Sequence, residues 1–178
     1  MKFLVSLILI SIIFSCARID DQTKPSKQDY PDQEMKNFKM DTLDGQNKKW
    51  ILRAKYASKY FGQQLIKAKD VNIEFYNKKG EHYATLTSDE GLINENTNDM
   101  QAIGNVVVTT TKKEILKTPI LTWSNRKAKI HSNDRIWLKK GNTITTGIGF
   151  ETDPDLKDVI IFKDFRSTTT ESINEKEL

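Results

Sequence analysis

The chain has 178 residues, of which 29% are charged and 37% hydrophobic, and a formal net charge of +4. That excess is mild and dispersed, with no stripe of Lys and Arg, so it gives no case for nucleic-acid binding, and the apolar fraction permits one core but not a thick one. The single cysteine, Cys16, excludes an intrachain disulfide, and the β-branched and aromatic residues that recur through the middle exclude wholesale disorder.

Met1 and Lys2 precede a short apolar stretch from Phe3 to Phe14. One positive charge followed by such a run is the pattern of a secretory signal peptide. The run is shorter than the roughly 20 apolar residues that span a bilayer. It ends Ile13-Phe14-Ser15-Cys16 and resembles a bacterial lipoprotein signal, although Phe14 is bulkier than the usual residue at its place. The resemblance implies that residues 1–15 are removed, that Cys16 is acylated, and that about 163 residues remain, a size suited to one domain. The competing reading is an uncleaved membrane anchor with an incidental cysteine. Residues 16–35 are polar, contain Pro25 and Pro31, and read as a lipidated N-terminus and flexible tether.

From 36 to 167 the signal is alternation with period two. Phe38-x-Met40-x-Thr42 leads into a turn at Leu43-Asp44-Gly45-Gln46, and Trp50-x-Leu52-x-Ala54-x-Tyr56 follows. Tyr56 to Gln64 is the best helix candidate, yet strand and loop fit it better. Val71-x-Ile73-x-Phe75, Gly104-x-Val106-x-Val108, Leu121-x-Trp123, Ile136-x-Leu138, the run from Ile144 to Phe150, and Val159-x-Ile161 continue the pattern. Each run has one apolar and one polar or threonine-rich face, which predicts half-buried antiparallel strands and an all-β fold. Asn77-Lys78-Lys79-Gly80 and Lys139-Lys140-Gly141-Asn142 read as hairpin turns. The segment 168–178 is polar and is expected to fray.

The chain also repeats itself. Asp70, Asn105, Asp134 and Asp164 recur every 29 to 35 residues, each about twenty residues after a segment such as Leu52-Arg-Ala-Lys-Tyr or Leu86-Thr-Ser-Asp-Glu-Gly. An Asp or Asn just before a strand would satisfy backbone N–H groups where the chain turns in. Each unit would be two strands, which cannot bury an apolar face alone, so the units must stack.

Leu86-x-Ser-Asp-x-Gly, Ala102-x-Gly-Asn-Val-Val-Val, Leu116-x-Thr-Pro-x-Leu-x-Trp, Ile130-x-Ser-Asn-Asp and Thr146-Gly-x-Gly-Phe, in that order, resemble the LptC family over roughly residues 38–166. The Gly-Asn-Val piece is shared by the whole lipopolysaccharide-bridge superfamily; the ordered set is far more specific. The resemblance implies a twisted, open β-jellyroll of antiparallel strands whose interior holds the acyl chains of lipopolysaccharide. It implies two protein partners: an inner-membrane ABC transporter complex that supplies the lipid, and a soluble periplasmic bridge protein of the same jellyroll type that receives it. In the family the C-terminal strands meet the bridge edge to edge, which points here to residues 142–166. Many members carry an uncleaved transmembrane helix, whereas this chain carries a lipobox. Its expected place is therefore the periplasmic side of the inner membrane, held through acyl chains on Cys16.

Groove candidates are the inward positions of the central strands: Ile73, Phe75, Val106, Val108, Leu121, Trp123, Ile136, Leu138, Ile148, Phe150 and Ile161. The same positions suit an ordinary filled core. Thr143, Thr145, Gly147 and Gly149 lie in a stretch free of charge and proline, which suits an edge that docks a partner by β-augmentation; an internal strand has the same composition. Arg135, Lys139, Lys140 and Lys163 are candidates for meeting lipid phosphates, a solvated face being the commoner reading. His82 and His131 have no His or Cys at metal-ligand spacing, and no glycine sits in a phosphate-loop setting. No cofactor, metal or catalytic residue is expected, so the energy for transport would come from partners. The alternative is a surface or periplasmic lipoprotein acting as an adhesin or structural scaffold.

Overall fold

Period-two alternation becomes strand throughout. The computed structural model describes residues 30–44, 47–153 and 156–169. The signal segment, Cys16, most of the tether, the turn at Gly45 and Gln46, and the end of the tail lie outside these. The strands are β1 (Gln33–Asp44), β2 (Asn47–Tyr60), β3 (Leu65–Tyr76), β4 (His82–Asn94), β5 (Met100–Thr110), β6 (Ile115–Ser124), β7 (Lys129–Lys140), β8 (Thr143–Thr152) and β9 (Ile160–Thr169). Each is antiparallel to its sequence neighbours in one sheet ordered β1 to β9, so among the described residues β1 and β9 are the two edges. The form is the open, all-β jellyroll of antiparallel strands, and among the described residues its strands follow one another as a meander. A 3-10 turn, Phe61–Gln63, follows β2, so the segment from Tyr56 is strand and loop. Strand β9 continues to Thr169, past the point where fraying was expected.

A strand of twelve residues spans about 40 Å at ~3.3 Å per residue, and these strands bend near their middles. In β3 the buried residues are Ile66 and Ala68, then Val71 and Ile73; in β4 they are Ala84, Leu86 and Ser88, then Gly91 and Ile93; in β6, Leu116 and Thr118, then Leu121. Each time one extra residue interrupts the alternation. The slip keeps one face inward on both sides of the bend, which an unbroken pleat could not do once the strand changes direction. The expectation that Asp and Asn stand just before strands is corrected here. Asp70 (φ 54°), Asn105 (φ 45°) and Asp164 (φ 52°) sit inside β3, β5 and β9, and Asn37 (φ 52°) does the same in β1. The left-handed region is costly for most side chains, and Asn and Asp tolerate it best after glycine. Asp134 has no positive φ but lies where the β7–β8 register shifts, between Ser132 and Arg135.

Bending a sheet frees backbone groups that must be satisfied inside. The buried polar residues supply the partners. Ser88 Oγ donates to the Glu90 carbonyl at 2.9 Å, and Thr118 Oγ1 donates to the Ile120 carbonyl at 3.1 Å. Ser132 Oγ accepts from the Asp134 N–H at 3.1 Å and lies 3.2 Å from the Thr118 hydroxyl. Asn105 Nδ2 donates to Asp89 Oδ2 at 2.8 Å, tying the β4 and β5 bends together. Pro119, which has no N–H, falls in the gap of the β5–β6 ladder between Thr118 and Ile120, where none is needed.

The bend folds the sheet over. Lys49 of β2 places its ammonium 6.0 Å from the ring centre of Trp123 in β6. Four strands apart in a flat sheet would be about 19 Å at ~4.8 Å per strand. One core cluster accordingly joins residues from both sides of the bend, such as Leu52, Val71 and Val108 with Ile66, Ile93 and Leu121. Gly104 (φ 76°) leaves no room at the fold line: a Cβ there would lie 2.5 Å from Asp89 Oδ2. We expect Gly104→Ala to lower stability in urea melts by about 1–3 kcal/mol, the usual cost of a forced backbone conformation. Gly62→Ala, with nothing within 4 Å, should stay within about 0.5 kcal/mol of the parent.

Candidate functional site

Between the two half-sheets lies a cavity of about 1360 Å³, larger than the roughly 300–1,000 Å³ of ordinary small-molecule pockets. Its walls are apolar. Leu52, Val71, Ile73, Leu86, Ile93, Ala102, Val108 and Leu121 are buried and line it. Trp50, Phe75, Tyr83, Met100 and Ile130 are partly buried, pack on the core and line it as well. The Phe75 and Tyr83 rings sit 6.3 Å apart, tilted.

The groove candidates divide into two groups. Ile73, Phe75, Val108, Leu121 and Trp123 line the cavity. Val106, Ile136, Leu138 and Phe150 are buried, the second and fourth completely, but stand away from the cavity, where the interior is filled. Ile161 packs on the core from β9 without lining the cavity. Ile148 belongs neither to the core cluster nor to the lining, which corrects its reading as an inward residue. The alternation in β8 slips at Gly149, so Ile148 and Phe150 face different ways despite their even spacing.

The docking-edge reading of Thr143, Thr145, Gly147 and Gly149 is also corrected. Strand β8 is internal, with its two neighbours on either side: Thr143 is opposite Lys140 and Thr169, and Thr145 is opposite Leu138 and Ser167. The two glycines serve packing instead. A Cβ on Gly147 would collide with the Ile161 side chain, and one on Gly149 (φ 70°) would meet the Phe162 ring at 2.8 Å. The lack of charge and proline that suggested an edge is equally what a strand paired on both sides requires. The available C-terminal edge is β9, where Ile160, Phe162 and Phe165 are each more than half exposed.

The cavity rim is charged. Lys48, Lys49, Lys78, Lys112 and Lys157 line it together with Glu114, Asp153 and Asp158. Arg135, Lys139, Lys140 and Lys163 do not, and Lys140 Nζ donates to the Leu156 carbonyl at 2.5 Å. Leu156, from the β8–β9 connection, is buried in the core cluster. That connection is pinned by Lys129 Nζ, which donates to Asp153 Oδ1 at 2.6 Å. This bond holds the Lys129 ammonium above its ordinary pKa, against the opposing effect of burial. Tyr76, also at the rim, donates to Glu74 at 2.8 Å; the bond, with help from Arg53, pulls the Glu74 carboxyl below its usual value, and the same bond, with burial, pushes the Tyr76 phenol up against the opposing effect of Arg53. Of the rim lysines only Lys78 was legible, as part of the Asn77–Gly80 turn, because alternation identifies inward positions and says nothing of which turns adjoin an opening. Among the described residues no cluster of His, Cys, Asp and Glu could hold a metal ion, and no helix is long and apolar enough to cross a membrane.

The sequence model of the lipopolysaccharide-assembly, LptC-related family matches residues 3–170. The chain belongs to the LptC-related family. No curated protein matches it significantly. Among solved structures it is similar to LptH from Pseudomonas aeruginosa, described as the LptA-homologous periplasmic component of the conserved lipopolysaccharide transport device, with 11% identity and a TM-score of 0.48. That alignment covers 83% of this chain and all of the other. Membership places this LptC-related chain in lipopolysaccharide transport, and the adhesin or scaffold reading is not favoured.

The division between lining and filling residues has a measurable consequence. Phe150→Ala empties a closed site and should cost about 3–5 kcal/mol in urea unfolding. Phe75→Ala widens an existing space beside solvent and should cost less than half as much. Equal losses would contradict the division.

Proposed function

We propose that this chain receives lipopolysaccharide from an inner-membrane ABC transporter complex, holds its acyl chains in the cavity between the half-sheets, and passes it to a soluble periplasmic bridge protein of similar form. In this reading Cys16 carries the acyl chains that keep the domain at the periplasmic face of the inner membrane, with the residues up to β1 as the tether. The observation that carries the proposal is an apolar space of about 1360 Å³ in an LptC-related chain. Each CH₂ taken from water into it is worth ~0.8 kcal/mol, so a few acyl chains offset much of the cost of leaving a membrane, and no covalent chemistry is required.

Hand-over is assigned to the sheet edges. Strand β9 offers unpaired backbone groups on one side and exposed Phe162 and Phe165 to a partner strand. Its Lys163, Asp164 and Arg166 discourage indiscriminate pairing. Strand β1, at the opposite edge, carries exposed Glu34, Lys36, Lys39 and Asp41 and is left for the transporter side.

A photoreactive residue tests the groove. Probes at Phe75 or Val108 should capture lipopolysaccharide in cells, and a probe at Ile148 should capture far less. A probe at Phe165 should capture the bridge protein, and Arg166→Pro, which removes one β9 donor, should abolish that product. Capture of no lipid from Phe75 or Val108, or normal delivery of new lipopolysaccharide to the outer membrane after depletion of the chain, would refute the proposal.

A further inference from the structure

Four hairpins close the same end of the sheet: β1–β2, β3–β4, β5–β6 and β7–β8. Each carries two adjacent lysines: Lys48 and Lys49, Lys78 and Lys79, Lys112 and Lys113, Lys139 and Lys140. The first three pairs are exposed and each puts at least one lysine on the cavity rim. Acidic neighbours offset them only in part. Glu81 is engaged by Asn77 Nδ2 at 2.8 Å, and Glu114 lies 3.4 Å from the Thr110 hydroxyl; in sequence, Asp44 precedes Lys48 by four residues. The fourth pair differs, since neither member lines the cavity and Lys140 is committed to the Leu156 carbonyl.

The opposite ends of the strands are not basic in this way. The β2–β3 turn at 61–64 has no charge, the β4–β5 turn has Glu95 and Asp99, and the β8–β9 connection mixes Asp153, Asp155 and Asp158 with Lys157. Only the β6–β7 turn, with Arg126 and Lys127, is basic. The cavity therefore has an apolar interior, one predominantly basic lip and one mixed lip. Lys49 reaches over Trp123 at the opening itself.

We infer that Lys48, Lys49, Lys78, Lys79, Lys112 and Lys113 form a phosphate-binding lip that fixes how an anionic glycolipid lies in the cavity, its acyl chains inward and its phosphorylated headgroup along this one edge. The inference rests on the proposed lipid-carrying function and adds the ligand's orientation and the chemistry that sets it. Charge complementarity and position select the ligand class: cations on this rim meet the head of an amphiphile whose tails are already in the apolar interior. Successive pairs are two strands apart, about 9.6 Å at ~4.8 Å per strand. Neighbouring pairs thus stand little more than one Debye length apart, about 8 Å at physiological salt, so a headgroup leaving one pair meets the weakly screened field of the next. The lip is a row of equivalent stations along the direction from β1 toward β9, so the lipid keeps its orientation as its chains shift between strands.

The test uses the full chain in detergent and two probes with the same acyl chains, bis-phosphorylated lipid A and its dephosphorylated form. The parent should bind the phosphorylated probe about tenfold more tightly, ~1.4 kcal/mol. With Lys48→Gln, Lys49→Gln, Lys78→Gln and Lys112→Gln combined, the two affinities should converge while the dephosphorylated lipid binds as before. Lys36→Gln, Lys39→Gln, Lys55→Gln and Lys69→Gln, which remove the same charge from exposed positions off the rim, should leave the tenfold preference intact. Inorganic phosphate at millimolar concentration should not displace either probe; displacement would overturn the headgroup assignment in favour of a free-anion site. Binding of both probes without preference, or a preference that survives the rim substitutions, overturns the lip and leaves the groove standing. Binding of neither probe overturns both. Rim substitutions that weaken adsorption to anionic phospholipid vesicles but not the lipid A preference would make the lip a membrane-contact surface instead.

Discussion

A long strand in a half-buried sheet can change direction and keep the same face inward only by breaking its pleat, and the break must not leave buried amides or carbonyls unpaired. The rest of this structure depends on how that constraint is met. One residue is added to the alternation near the middle of most strands, and residues that accept left-handed backbone occupy the break: Asn37, Asp70, Gly104 with Asn105, Gly149 and Asp164. Short hydroxyl side chains at Ser88, Thr118 and Ser132 engage the backbone groups at the break. Glycine and Asx backbone freedom, hydroxyl hydrogen bonding and a misplaced proline are three unrelated devices that converge on one line across the sheet.

The line produces the cavity. Nine strands folded along a shared crease make two walls from a single sheet, so the interior needs no second layer and is open where the strand ends meet. Packing fills that interior around Ile136 and Phe150 and leaves it open around Ile73, Phe75 and Val108. The same geometry collects alternate hairpins on one side of the opening and the remaining turns on the other. Any bias in the composition of alternate turns then becomes a polarity across the mouth.

Strands β2, β3, β5 and β7 were legible because their apolar residues alternate on at least one side of the crease. Strand β4 was harder to see, since Ser88-Asp89-Glu90-Gly91 has the composition of a turn while its backbone stays in the ladder. The repeating Asp and Asn residues were recognised as a period, but their place inside strands was not, because an Asx residue at a bend and one at a turn satisfy the backbone with the same chemistry. The family motifs Ser88-Asp89, Gly104-Asn105, Thr118-Pro119 and Ser132-Asn133-Asp134 turn out to be the crease itself. Edge and interior could not be distinguished for β8, since pairing partners are set by topology and not by the strand's own composition. Ile148 was misplaced for the same reason that the crease was missed: counting by twos across Gly149 gives the wrong face.

The central proposal is that the folded-over sheet holds an acylated, phosphorylated glycolipid. Native mass spectrometry of the full chain, extracted from its own membrane in mild detergent, tests it most directly. The expected spectrum contains a population heavier than the protein by one lipopolysaccharide or lipid A molecule, and Val108→Glu, which places a charge in the cavity wall, abolishes that population while the protein still melts cooperatively. A spectrum of bare protein alone, or an adduct that persists undiminished in folded Val108→Glu, would contradict the account.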